Sequence, residues 1–273
     1  MSTFEAQDGT KLFYKDWGQG RPVVLIHGWP LNADMWDFHA NALADKGFRA
    51  ISYDRRGFGR SDQPGSGYDY DTFAADLASL LDKLDLRDVV LVGFSMGGGE
   101  VVRYLSRFGS ERVAKAVLVS AVPPYLLKDA SNPDGVDRST FDEFVEQLKS
   151  DRPSFLASFG KKFYGAGLLN FAVSSEYLEY TSDLALQASL RSTLACVRAF
   201  SETDFRADVA AVRVPALVIH GSSDQTVPLD VSGAKSAEAI AGAELKIYEG
   251  APHGLHYTEQ DRLLDDLVAF ARS

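Results

Sequence analysis

From Val89 the chain runs through a continuous apolar stretch, too short for a helix, into Gly93-Phe94-Ser95-Met96-Gly97 and then a helical pattern. A strand that enters a helix this abruptly must hold one residue on a very tight turn. Glycines two positions to either side are needed because a Cβ there would clash within the turn. Such a turn also needs a sheet behind it and a helix packed on that sheet. The rest of the chain provides both: short β-branched apolar runs alternate with longer helical patterns, the rhythm of a mostly parallel sheet covered by helices.

The apolar runs predict strands over 22–26, 48–53, 89–92, 113–119, 215–219 and 244–248. An Asp8-Gly9 turn between two alternating segments predicts an antiparallel N-terminal hairpin. Helical spacing predicts helices over 72–84, 97–108 and 259–271. Between 122 and 205 the rhythm breaks at Pro123-Pro124 and gives way to successive helical patterns rich in Phe and Tyr. The strand rhythm then resumes, so 122–205 is expected to be a helical cap inserted into one α/β core made of 1–121 and 206–273.

Composition narrows the function classes. With 28 basic against 38 acidic side chains the net charge is −10, which argues against nucleic acid and against a polybasic membrane surface. No stretch approaches ~18 uninterrupted apolar residues, so no transmembrane helix is expected. The first ten residues include Glu5 and Asp8 and lack the apolar run of a signal peptide. A single cysteine, Cys196, suits a reducing compartment, and a cytoplasmic location is expected. Cys196 itself falls in a helical pattern and reads as packing.

Sheets of this kind bind ligands at the carboxyl ends of their strands. Ser95 stands at such an end, on the turn that projects a hydroxyl into the cleft. A serine hydroxyl is unreactive until a base takes its proton, so a histidine and an orienting acid are expected further along. Of the five histidines, His253 lies in Gly250-Ala251-Pro252-His253-Gly254, after the last strand and before the closing helix. His220 ends a strand and reads as a packed, hydrogen-bonded residue. His256 follows His253 by three but lacks metal-ligand spacing and a third ligand, and no metal is expected. His39 reads as part of a solvated helix face. Asp224, in a loop at a strand's carboxyl end, is the expected acid; Asp230, at the start of a helix, is explained by capping.

A tetrahedral intermediate also needs donors for its oxyanion. The Met96 amide is one candidate, and the Trp29 amide in His27-Gly28-Trp29-Pro30 the other, since Pro30 has no N–H. The charges of Asp54-Arg55-Arg56-Gly57-Phe58-Gly59-Arg60-Ser61-Asp62 read as a salt-bridge network bracing the loops, because no complete phosphate-binding pattern is present. Trp29, Pro30, Phe144, Phe159, Phe163 and Phe200 are the candidate substrate-pocket residues. The cap aromatics among them form either an apolar acyl pocket or only the core of the cap.

His27-Gly28-Trp29-Pro30, the 53–61 segment, Gly93-Phe94-Ser95-Met96-Gly97-Gly98, Gly250-Ala251-Pro252-His253-Gly254, Tyr70-Asp71-Thr72-Phe73-Ala74 and Thr203-Asp204-Phe205-Arg206 together resemble one family. It is the bacterial cofactor-free haloperoxidase (perhydrolase) and aryl-esterase family of the α/β-hydrolase fold. The resemblance spans nearly the whole chain and is weakest around 165–193. It implies a mostly parallel eight-stranded sheet flanked by helices, no cofactor, and a homo-oligomer, a trimer or a multiple of it.

The activity implied is that of a serine hydrolase acting on short-chain carboxylic esters or acids through an acyl-enzyme. Water releases an acid, or hydrogen peroxide releases a peracid that oxidises halide. In the family, Pro after the oxyanion residue accompanies perhydrolysis, as Pro30 follows Trp29 here; the alternative is that Pro30 only stiffens its loop. Lactone- and γ-lactam-hydrolysing members share these motifs. A reading of another class is a non-catalytic receptor that holds a small ligand in the same pocket.

Overall fold

The computed structural model describes residues 2–167 and 173–273. Eight strands form one sheet: β1 (Thr3–Glu5), β2 (Lys11–Gly18), β3 (Arg21–Ile26), β4 (Phe48–Tyr53), β5 (Val89–Phe94), β6 (Val113–Val119), β7 (Ala216–Gly221) and β8 (Glu244–Tyr248). Their spatial order is β1-β2-β4-β3-β5-β6-β7-β8. The β1–β2 hairpin turns at Asp8-Gly9 as expected, and β2 joins β4 antiparallel; every later pairing is parallel.

The helices are α1 (Asp37–Asp45), α2 (Tyr70–Lys83), α3 (Met96–Phe108), α4 (Arg138–Phe163), α5 (Ser175–Leu186), α6 (Leu190–Glu202), α7 (Arg206–Ala210), α8 (Gly233–Ala239), α9 (Leu255–Thr258) and α10 (Gln260–Arg272). They cover both faces, and all six residues of β5 are buried. That is why β5 reads as an unbroken apolar run rather than an alternating one.

Local chemistry sets the element ends. Asp69 caps α2 by accepting from the Thr72 N–H at 2.9 Å. α4 is two helical segments joined at Asp151, whose φ/ψ of −150°/83° is not helical. Pro153 lacks an N–H and sits in the first turn of the second segment, where none is needed. The Asp151 carboxylate caps that segment through the Ser154 N–H at 3.0 Å. The stretch between β6 and α7 holds α4, α5 and α6, together with isolated bridges such as Leu127 to Val136.

The sequence placed the 89–92 strand two residues short and the following helix one residue late. β5 continues to Phe94 and α3 begins at Met96, so Ser95 alone makes the turn. Among the described residues no helix is long and apolar enough to cross a membrane.

Candidate active site

Ser95 has φ +52° and ψ −117°, a left-handed conformation that an L side chain rarely adopts. Close packing around it leaves no space for side chains at its glycine neighbours. A Cβ on Gly93 would fall 2.5 Å from the Gly97 carbonyl oxygen, and one on Gly97 would fall 2.7 Å from that of Ile26. The Ser95 backbone is held on both sides, its N–H donating to Val119 O at 2.9 Å and its carbonyl accepting from Gly98 N at 3.0 Å. Surrounding hydrogen bonds therefore maintain the strained residue.

Two loops at the carboxyl ends of β7 and β8 bring the other groups to it. Gly221 lets them touch, since a Cβ there would lie 2.2 Å from Ala251 O. His253 Nε2 lies 3.0 Å from Ser95 Oγ, and His253 Nδ1 lies 2.6 Å from Asp224 Oδ2. A carboxylate can only accept, so the Nδ1 proton points to Asp224 and the Nε2 lone pair faces the serine. Asp224 Oδ1 accepts from the Thr226 and Val227 N–H groups at 2.9 and 2.8 Å. Burial alone would raise the Asp224 carboxyl, but His253 and His220 beside it hold it well below the usual carboxylate range. Asp230, by contrast, is exposed on a short 3-10 turn. Ser95, His253 and Asp224 come together although 158 and 29 residues separate them in sequence.

The loop after β3 lies against the same serine. A Cβ on Gly28 would meet the Phe94 ring at 2.7 Å and Ser95 Cβ at 3.0 Å. His27 is buried beside Arg55, and burial together with that guanidinium holds its pKa well below the ordinary value. Its Nε2 accepts from the Arg55 N–H at 2.9 Å. Arg55 also donates from Nη2 to His27 O and from Nε to Glu100 Oε2, at 2.9 and 2.8 Å. Arg56 pairs with Asp76 and Asp8, and Arg60 with Asp54 and Asp34. The charged 54–62 segment is thus a bracing network, extended by Glu100 of α3, which sequence reasoning missed.

A cavity of about 240 Å³ opens onto Ser95 and His253. Trp29, Phe144, Phe159 and Phe200 are among the residues that line it. The Trp29 indole donates to Thr193 O of α6 at 3.1 Å, and its ring packs on Phe159 and Phe200.

Pro30 and Phe163 do not line that cavity. They border a separate small hollow with Leu31 and Leu156, on the far side of Phe159. Phe163 packs edge-on against the His253 ring at 4.7 Å, because the Gly254 N–H bonds to Phe163 O and draws the end of α4 onto the histidine loop. Phe141, Thr140, Lys162 and the Gln225–Pro228 stretch line the cavity without having been expected there. Phe141 was findable, standing one helical turn before Phe144; the others carry no such signal.

The remaining polar candidates fall elsewhere. His39 is not on a solvated face: it is 1% exposed, packed on Trp36, with Nε2 3.2 Å from Gln260 O. Burial pushes its pKa down to about 4. It stands four residues before Leu43 on the buried face of α1, which packs against α10. His256 is buried among Phe94, Phe163 and Tyr164. Cys196 is buried, and burial pushes its thiol up to about 12. Among the described residues no group of three or more His, Cys, Asp or Glu side chains is placed to hold a metal ion.

Known proteins share this fold. A family model described as the alpha/beta hydrolase fold matches residues 21–260. The chain is 48% identical to a non-heme chloroperoxidase of Streptomyces lividans, over 100% of both chains. It is 40% identical to a bifunctional esterase/perhydrolase of Acinetobacter calcoaceticus, again over 100% of both. The crystal structure of a bromoperoxidase from Bacillus anthracis superposes with a TM-score of 0.96 at 46% identity, covering 100% of each chain.

Proposed function

The chain belongs to the α/β-hydrolase fold family, and from that premise we propose that it is a serine hydrolase acting on short-chain carboxylic esters and acids, with water or hydrogen peroxide as acyl acceptor. The observation that carries this reading is the hydrogen-bonded series Ser95 Oγ, His253 Nε2, His253 Nδ1, Asp224 Oδ2, opening onto an apolar cavity.

Ser95 Oγ attacks the carbonyl carbon as His253 Nε2 takes its proton. Asp224 keeps the imidazole in the required tautomer and stabilises its positive charge. The Met96 amide, at the N-terminus of α3, and the Trp29 amide donate to the developing oxyanion. Collapse breaks the bond to the alcohol, which leaves with the proton from His253 and leaves the acyl group on Ser95. Water, deprotonated by His253, then attacks the acyl carbon and releases the acid.

When hydrogen peroxide attacks instead, the product is a peracid, whose O–O bond carries the oxidising equivalents. The peracid oxidises halide to hypohalite in solution and reverts to the acid. The names of the chloroperoxidase and esterase/perhydrolase relatives support this second branch, as does Pro30 following Trp29.

Trp29, Phe144, Phe159 and Phe200 form the acyl-side wall, and 122–205 acts as the cap over the 1–121 and 206–273 core. The protein works as a homo-oligomer, a trimer or a multiple of it, in the cytoplasm. Exposed Leu245 and Ile247 on the edge strand β8 support an interface, and gel filtration with light scattering tests it.

Ser95→Ala is the deciding experiment. Ester hydrolysis should fall by several orders of magnitude, and a fluorophosphonate probe should label the wild-type enzyme at Ser95 but not the variant. Undiminished hydrolysis by the variant would defeat the reading. Ligand binding without labelling of the wild-type protein would indicate a receptor.

A further inference from the structure

His220, on β7, is fully buried and takes no part in the steps above. Its Nε2 lies 2.9 Å from Val227 O and 3.3 Å from Asp224 Oδ2. A carbonyl only accepts, so Nε2 carries a hydrogen bonded to Val227 O, with the Asp224 carboxylate close beside it. Nδ1 has no hydrogen-bond partner among the described residues. α8 closes over that side of the ring, where a Cβ on Gly233 would lie 2.5 Å from Nδ1.

Asp224 accepts from three donors, the Thr226 and Val227 amides on Oδ1 and His253 on Oδ2, and His220 Nε2 stands 3.3 Å from Oδ2. The same imidazole ties Val227, a wall of the Ser95 cavity, to the strand that carries the acid's loop.

We infer that His220 is a positioning residue for Asp224: its ring, fixed by the bond to Val227 O and packed under α8, stands against Oδ2 and keeps the carboxylate turned toward His253. This rests on the serine-hydrolase reading above. Without His220 the carboxylate would be free to turn from His253, so the imidazole would be less well oriented for the serine while substrate binding in the cavity is untouched.

The test compares His220→Leu, which keeps bulk but has no donor, with His220→Gln, whose amide nitrogen reaches to about the Nε2 position. Both are assayed on an activated aryl ester across pH, with thermal unfolding measured alongside. The Leu variant should lose about 10-fold or more in kcat with KM within about 2-fold, while Gln recovers most of kcat. A folded Leu variant with wild-type kcat overturns the inference, as does a Gln variant no better than Leu.

If the Leu variant does not fold, Gln is compared with Asn, whose amide reaches only to the Nδ1 position. Gln active with Asn impaired supports the inference, and equal activity overturns it. Fluorophosphonate labelling of wild-type Ser95 reports separately on the underlying serine-hydrolase reading.

Discussion

Arg55 and Glu100 form a fully buried ion pair, Nε to Oε2 at 2.8 Å, between the loop after β4 and the helix that follows Ser95. Through its bond to His27 O the same guanidinium also reaches the loop after β3. One side chain thus braces the elbow helix and the loop carrying Trp29 against each other. Removing one partner of a buried pair leaves an uncompensated charge, which costs about 3–5 kcal/mol, whereas replacing both can be close to neutral. Arg55→Leu should therefore destabilise the protein by that amount in urea unfolding, and adding Glu100→Leu should recover part of the loss. A double variant as unstable as the sum of the singles would mean the two residues act independently.

Asp224→Asn tests the acid. The amide can donate to His253 Nδ1 and so favour the wrong tautomer; in a serine triad this change lowers kcat by about 10⁴. Steady-state kinetics on a short aryl ester at neutral pH should show this loss with the fold intact by circular dichroism. A loss of less than about 10-fold would argue that Asp224 is not the orienting acid.

Stability should fall on mild acidification. His39 has its pKa pushed down to about 4 by burial, while in the unfolded chain it titrates near about 6.5. Between those values the unfolded state binds more protons, so stability rises with pH across the window and is lost as pH falls through it. Complete loss amounts to about 3 kcal/mol from this one group. Burial also depresses His256 and His27, which act in the same direction. Tm measured from pH 7 to 4 should decline, and His39→Leu should flatten that decline. An unchanged slope in the variant would show that His39 is not the titrating group.

Pro30→Leu should lower the ratio of peracid to acid formed from the same acyl donor, read by halogenation of a dye against ester hydrolysis. Because the Pro30 ring borders the hollow beyond Phe159 rather than the Ser95 cavity, any effect has to pass through the neighbouring Trp29 backbone. An unchanged ratio would leave Pro30 as a loop-stiffening residue only.

The alternation of strand and helix was legible in the sequence, as was a tight turn carrying Ser95, and Asp224 and His253 could be picked out as the candidate partners of that serine. They depend on residue type at short spacing and on loops that a parallel sheet must place at one end. Which face each side chain meets was not legible. Phe163 lies against the His253 ring rather than in the cavity because the end of α4 is bonded to the His253 loop, and Pro30 borders the hollow beyond Phe159. His39 is buried because α10 packs over it, and Glu100 meets Arg55 across 45 residues. Periodicity reports which residues of one element share a face, but the neighbour covering that face comes from distant chain. Close packing of those distant parts decided the cavity wall and the burial of His39, His27, His220 and His256.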